Sequence, residues 1–211
     1  MSNPRPWSGY FVAFCGIDGS GKTTQVKAAR DYLAADANVV LTKQPTDLYR
    51  NDPDVRALLD LRSSGELLTA ELALLSAFDR ARHIRTTVLP ALTGSGCVIT
   101  DRYVYSTYSY FLARGISDLA WLKDINRLAP EPDLTVYIDV PPELAAERII
   151  ARDGSSRKRE ELDVNRMTTV RRHFVEQPWG QSDRFKTVDG TEPIDVVTDQ
   201  VLALLKEFDP R

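Results

Sequence analysis

Gly16-Ile17-Asp18-Gly19-Ser20-Gly21-Lys22-Thr23-Thr24 decides how the rest of this chain is read. It follows the apolar run Tyr10-Phe11-Val12-Ala13-Phe14-Cys15 and opens into Gln25-Val26-Lys27-Ala28-Ala29-Arg30, so the order is strand, glycine-rich turn, helix. Glycines let backbone N–H groups curl around phosphate oxygens with no Cβ in the way. Lys22 is spaced to reach the outer phosphates and the Thr23 hydroxyl to ligate Mg²⁺, while Gly16, Gly19, Ser20, Gly21 and Thr24 complete the nucleotide-binding turn. A glycine-rich turn alone means only a tight loop. Gly-Lys-Thr at its end, directly after a strand, points to nucleotide phosphate.

Outward from this loop, four apolar runs read as strands: 11–15, 39–42, 97–100 and 134–140, with a fifth, shorter one at 184–188. Their continuous character suits parallel strands buried on both faces. Helical patterns at 24–34, 69–92, 142–151 and 194–208 alternate with them. The expected fold is α/β: a three-layer α/β/α arrangement with a mostly or wholly parallel five-stranded sheet, one domain over 1–211. Residues 44–54 hold two prolines and three aspartates and read as a loop. Residues 151–163, with Arg152, Arg157, Lys158 and Arg159 around Gly154-Ser155-Ser156, read as a basic lid over the transferred phosphoryl group.

Composition narrows the partners. The net charge of −3 over 211 residues argues against a broad nucleic-acid footprint but leaves room for a small anionic metabolite in a local basic pocket. No apolar stretch approaches membrane-spanning length. Cys15 and Cys97 lie in apolar runs and read as buried, reduced thiols of a cytoplasmic protein. His83 and His173, without a cysteine cluster, offer no zinc site.

In an open parallel sheet, ligands bind beyond the carboxyl ends of the strands. The first strand leads to Asp18, the second to Lys43-Gln44-Pro45 and the third to Asp101-Arg102-Tyr103. Arg102 can grip a phosphate with its planar fork, and Asp101 can orient magnesium-bound water, although side by side they could also be a surface pair. Arg80 interrupts the apolar pattern of the long helix and is either a site residue or an ordinary exposed one. In the aromatic patch Tyr103, Tyr105, Tyr108, Tyr110 and Phe111, Tyr103 and Tyr110 are expected nearest the acceptor.

These residues resemble the thymidylate kinase family of nucleoside monophosphate kinases over nearly the whole chain. The likeness rests on the phosphate loop, Asp79-Arg80-Ala81 with His83-Ile84, Leu89-Pro90-Ala91-Leu92, Thr100-Asp101-Arg102-Tyr103 with Ser106, and Pro132-Asp133-Leu134-Thr135 through Pro142-Glu143 with Arg148. It implies transfer of the γ-phosphoryl of ATP, with Mg²⁺, to a nucleoside 5′-monophosphate. Asp18 would then hold the acceptor's 3′-hydroxyl, Arg102 its phosphate, Tyr103 its deoxyribose, and Arg80 would lie near base and phosphate. Because Ser20 stands where some members carry an arginine, the resemblance assigns the catalytic arginine to Arg152, Arg157 or Arg159. A homodimer is implied as well. The chain departs from the family at Gln44, which replaces a glutamate, at Ser76, where a phenylalanine commonly stacks on thymine, at Thr107, where some bacterial members place asparagine, and in the lid spacing. A pyrimidine deoxynucleoside 5′-monophosphate is the expected acceptor. A nonstandard nucleotide, a nucleoside or another small molecule is the alternative, a hydroxyl acceptor needing Asp18 or Asp101 as base. An inactive nucleotide-binding regulator is a further one.

Overall fold

The computed structural model describes residues 7–60, 65–153, 162–177, 179 and 182–211. Five strands, β1 (Tyr10–Cys15), β2 (Val39–Lys43), β3 (Cys97–Asp101), β4 (Leu134–Asp139) and β5 (Phe185–Asp189), form one sheet in the order β2-β3-β1-β4-β5. Every pairing is parallel. Helices cover both faces, giving the three-layer α/β/α architecture of phosphate-loop NTPases.

Strand β1 shows why both layers are needed. All six of its residues are buried, and successive side chains point to opposite faces. Tyr10 reaches one layer, donating its hydroxyl to the Leu205 carbonyl at 3.1 Å in α10 (Ile194–Phe208). Phe11 reaches the other, meeting the Tyr103 ring edge-on at 5.1 Å between centroids. Strand β2 is an edge, and its Leu41 remains 43% exposed. Asp133 joins β1 to β4: its N–H donates to the Phe11 carbonyl at 2.8 Å and its carboxylate accepts from the Phe11 N–H at 2.9 Å. The Pro132-Asp133-Leu134-Thr135 stretch is thus a strand-entry device.

Helix α1 (Lys22–Leu33) follows the loop as anticipated. The 44–54 segment is more ordered than a loop. Thr46 caps α2 (Asp47–Arg50) by accepting from the Leu48 N–H, and Asp52 caps α3 (Pro53–Asp60) by accepting from Asp54 and Val55. Side-chain caps satisfy the orphan N–H groups that let such short helices stand. The expected 69–92 helix begins earlier and is interrupted. It comprises α4 (Glu66–His83), a π-helical turn at Ile84–Val88 and α5 (Leu89–Thr93). Pro90 has no N–H for the carbonyl four residues back, so the ladder widens at that point.

After β3 come α6 (Val104–Ala113) and α7 (Leu119–Ile125), the latter capped by Asp118. Helix α8 spans Pro142–Asp153, and α9 (Val164–Glu176) is capped by Asp163. Arg157 and Arg159 of the expected lid lie outside the described residues. Cys15 and Cys97 are buried free thiols. Among the described residues, no helix is long and apolar enough to cross a membrane.

Candidate active site

The register aligns the carboxyl ends of three strands: Asp101 lies level with Phe14 on β1 and with Lys43 on β2. The phosphate loop, the Gln44 corner and Asp101-Arg102 therefore converge on one rim. Two cavities open there. The outer one, about 480 Å³, runs over Gly19 to Thr24 and is closed by Asp101, Arg102, Arg148 and Arg152. The inner one, about 560 Å³, is lined by Gln44, Tyr49, Ser76, Thr107, Tyr110 and several arginines. Asp18, Arg50 and Arg102 belong to both walls.

In the loop, Gly19 and Gly21 have φ of +80° and +93°. Lys22 is folded back, its Nζ donating to the Ile17 carbonyl at 2.7 Å. Burial, and then the neighbouring Arg102 cation, bring its ammonium down to about 8. Gly16 departs from expectation. It lies beneath the outer cavity rather than on its wall, and its carbonyl accepts from Arg102 Nη1 at 3.1 Å. A Cβ there would stand 2.7 Å from the Ile138 carbonyl, so this glycine serves close packing of loop on β4.

Arg102 is seated with unusual care. Its φ of +66° is rare for a residue with a Cβ. The conformation is held by its N–H donating to the Phe14 carbonyl at 2.8 Å and its carbonyl accepting from the Thr100 hydroxyl at 2.9 Å. The guanidinium lies over the Tyr110 ring at 4.9 Å and donates from Nη2 to Asp18 at 2.7 Å. Burial would raise the Asp18 carboxyl, but Arg102 and Lys22 outweigh it and hold it at about 2. Tyr110 does line the inner cavity, and burial pushes its phenol up to about 12.

Arg80 and Tyr103 sit differently from expectation. Both are buried, at 2% and 1% exposure, and neither lines the inner cavity. Arg80 is not an exposed helix residue; it supports the wall from beneath. Its Nε donates to Gln44 Oε1 at 2.9 Å, Nη1 to Asn126 Oδ1 at 2.9 Å and Nη2 to the Thr107 hydroxyl, with Tyr103 under the guanidinium at 5.5 Å. Among the described residues no carboxylate pairs with it, since neighbouring Asp79 accepts instead from the Thr46 N–H and hydroxyl.

These contacts fix a proton inventory. A guanidinium can only donate, so the Gln44 oxygen must face Arg80 and its NH₂ must face His83. Gln44 Nε2 is 2.7 Å from His83 Nδ1, which therefore accepts; the proton resides on Nε2, which donates to the Thr42 hydroxyl at 2.7 Å. A glutamate at position 44 would demand the opposite polarity. The Gln44 departure thus holds His83 neutral, in line with burial, which lowers its imidazole against the opposing pull of the Asp79 carboxylate, with a smaller lowering from Arg80.

Ser76 reaches the inner cavity wall from the buried face of α4, while Phe78, two residues on, is 63% exposed and cannot replace a stacking ring there. The Ser76 hydroxyl is buried without a hydrogen-bond partner. Arg152 lines the outer cavity only. The sequence reading missed Tyr49, Arg50, Arg56, Arg114 and Arg166, all on the inner wall. Tyr49, Arg50 and Arg56 fall in or beside the segment read as a loop; the Asn51-Asp52-Pro53 helix-start signal could have placed the last of them on an element.

Comparison with known proteins agrees with this geometry. The family model described as thymidylate kinase matches residues 14–201. A protein named probable thymidylate kinase from Pyrococcus abyssi is 38% identical over 208 residues, covering 94% of this chain and 96% of its own. The similarly named Pyrococcus horikoshii protein is 35% identical, with coverage of 94% and 96%. The thymidylate kinase of Geobacter sulfurreducens is 35% identical over 213 residues, covering 96% and 99%. With the phosphate loop and the strand-end residues all inside the matched stretch, the chain belongs to the thymidylate kinase family of ATP-dependent phosphotransferases.

Proposed function

We propose that the outer cavity takes ATP and the inner cavity a pyrimidine deoxynucleoside 5′-monophosphate, thymidylate foremost, with γ-phosphoryl transfer across their shared wall. The observation that carries this reading is the Arg102–Asp18 pair on both walls. Arg102 offers an acceptor phosphate a planar fork, and Asp18 offers the sugar hydroxyl an ionised acceptor. Lys22 lines the outer cavity and would exchange its contact with the Ile17 carbonyl for a phosphate oxygen. The attacking oxygen of a monophosphate is already anionic, so positioning and charge stabilisation suffice without a general base.

Thr23 and Asp101 fit a magnesium ion: both line the outer cavity, and the Asp101 Oδ1 is buried with no hydrogen-bond partner. No cluster of three or more metal-ligating side chains occurs among the described residues, which suits a cation held chiefly by water and phosphate. When bound there, magnesium would supply charge neutralisation to the donor phosphates. Arg148 donates to the Gly190 carbonyl at 2.9 Å and shapes the nucleoside end of the outer cavity, and Arg152 adds charge to the same wall.

The exposed stripe Leu67, Leu74 and Phe78 on α4 supports a homodimer, and the two reduced thiols support a cytoplasmic setting. A nonstandard nucleotide as acceptor is favoured by one observation, the partnerless hydroxyl of Ser76 where a ring would stack. A mass-spectrometric screen with Mg·ATP against nucleoside monophosphates, nucleosides and modified nucleotides tests both. Thymidylate turnover is expected; turnover at the no-acceptor background with robust use of another acceptor would replace the first reading by the second. Ser76→Phe should then raise that acceptor's KM while leaving thymidylate binding no weaker.

A further inference from the structure

Phosphoryl transfer needs cations at the point where donor and acceptor meet, because charge spreads over the migrating group in the transition state. Three side chains line both cavities: Asp18, Arg102 and Arg50. The first two are committed to each other at 2.7 Å. The phosphate loop carries Ser20 and supplies no arginine of its own. Arg152 lines the outer cavity alone. Arg50 is therefore the one cation at the junction, among the described residues, that neither pairs with Asp18 nor belongs to a single wall.

Its backbone is tied to α4, although the side chain is exposed. Arg50 ends α2, and its N–H donates to the Thr46 carbonyl at 3.0 Å. Thr46 is tied to α4 by Asp79, which accepts from its N–H at 2.7 Å and from its hydroxyl. The adjacent Tyr49 is buried. Within the side chain, Nε donates to the Pro45 carbonyl at 2.7 Å, which fixes the guanidinium plane. That contact uses one of five N–H donors. The four on Nη1 and Nη2 have no protein partner among the described residues, and Arg102, Asp101 and Asp18 all act on the group electrostatically.

We propose that Arg50 is a catalytic residue, contacting the transferred phosphoryl group from α2, so that the enzyme carries a transition-state arginine outside the basic 151–163 segment. The proposal rests on the two-cavity assignment above. In the step, an acceptor phosphate oxygen supplies the electron pair for a new bond to the γ-phosphorus. The bond from that phosphorus to the β–γ bridging oxygen breaks, and ADP leaves with its electrons. No proton moves. The Nη donors of Arg50 meet the equatorial oxygens, Lys22 the outer phosphates and Arg102 the acceptor phosphate. Its Nε contact with the Pro45 carbonyl leaves both Nη groups available for this role.

Arg50→Gln keeps length and polarity but removes the charge, and should lower kcat by about 10²–10³-fold, the usual loss when one transition-state donor is deleted. The KM values for ATP and thymidylate should stay within about threefold, since the contact forms only in the transition state. Arg50→Lys should recover part of kcat. Titration with ADP, thymidylate and aluminium fluoride gives an independent readout: wild type should form a tight ternary complex that Arg50→Gln does not, while ADP alone binds both equally. Thermal melts establish that the variant is folded. A kcat near wild type, or a raised thymidylate KM with kcat unchanged, overturns the proposal, the second outcome making Arg50 a binding residue. Should wild type not use thymidylate, the acceptor reading fails separately, and slow ATP hydrolysis to water still decides: equal rates in wild type and Arg50→Gln overturn the catalytic role.

Discussion

Gly19 and Gly21 look equivalent in the sequence but differ sharply in their surroundings, and substituting each by alanine separates two costs. Both have positive φ, +80° and +93°, so an alanine at either pays about 1–2 kcal/mol for a left-handed backbone. A Cβ at Gly21 would meet nothing within 4 Å. At Gly19 it would stand 2.2 Å from the Ala145 carbonyl oxygen and 2.8 Å from its carbon, backbone atoms of α8 that cannot swing aside. Overpacking of this kind adds about 1–3 kcal/mol. Gly19→Ala should thus cost about 2–5 kcal/mol and Gly21→Ala only about 1–2. At roughly 2–4 °C per kcal/mol for a chain of this size, the two melting temperatures should differ by about 2–12 °C. Urea unfolding monitored by far-UV circular dichroism gives the free energies directly. Gly21→Ala, whose methyl enters the space over the loop, should bind ATP poorly while remaining the more stable variant. A Gly21→Ala protein at least as destabilised as Gly19→Ala would refute the packing argument.

Three further outcomes follow from the site. Lys22 is ordinarily near 10.5 and here about 8, so a bound polyphosphate that raises it again should draw in a proton around pH 9; calorimetry in two buffers of different ionisation heat should detect that uptake, and ATP affinity should weaken as pH climbs past about 8. Arg102→Lys keeps charge but loses the fork shared between Asp18 and the Gly16 carbonyl, so acceptor kcat/KM should fall by at least tenfold with the ATP KM little changed; identical acceptor kinetics would make Arg102 purely structural. Nitrogen-15 NMR should find His83 as the neutral Nε2–H tautomer. Its folded value is lowered, so the unfolded chain binds more protons just below pH 6.5 and stability should drop as pH falls through that window; Gln44→Glu should raise the His83 titration and remove the drop.

The sheet was legible because buried parallel strands are uninterrupted apolar runs, and β1, β3 and β4 are buried along nearly their whole length. Edge strand β2 was legible only because it is β-branched, its burial being partial. Residues 44–54 were misread for the opposite reason. Four-residue α2 has too few positions to display a period, and its stability comes from Thr46 and from Asp79 on a helix more than thirty residues away. The site divides likewise. Residues on the phosphate loop and at the strand ends were found because backbone geometry puts them at the rim. Arg80 and Tyr103 were expected beside the acceptor, yet their depth was invisible, since Arg80 is held by Gln44, Thr107 and Asn126 from three other segments and Tyr103 packs on Phe11 of β1. Arg50 was missed because no local pattern distinguishes an arginine that meets two cavities from one that faces solvent.

The Arg80 anchor also bears on how the chain assembles. Its three side-chain partners come from positions 44, 107 and 126, so the guanidinium cannot give up water profitably until β2, α6 and the end of α7 have docked on α4. A cation stripped of solvent before those carbonyl and hydroxyl oxygens arrive costs several kcal/mol. Dehydration of this helix face is therefore expected to complete after the folding barrier rather than before it. Truncations at Gln44, Thr107 or Asn126 should leave the refolding rate nearly untouched and accelerate unfolding, with φ-values close to zero. The same buried charge that braces the acceptor wall works as a late lock on the native state.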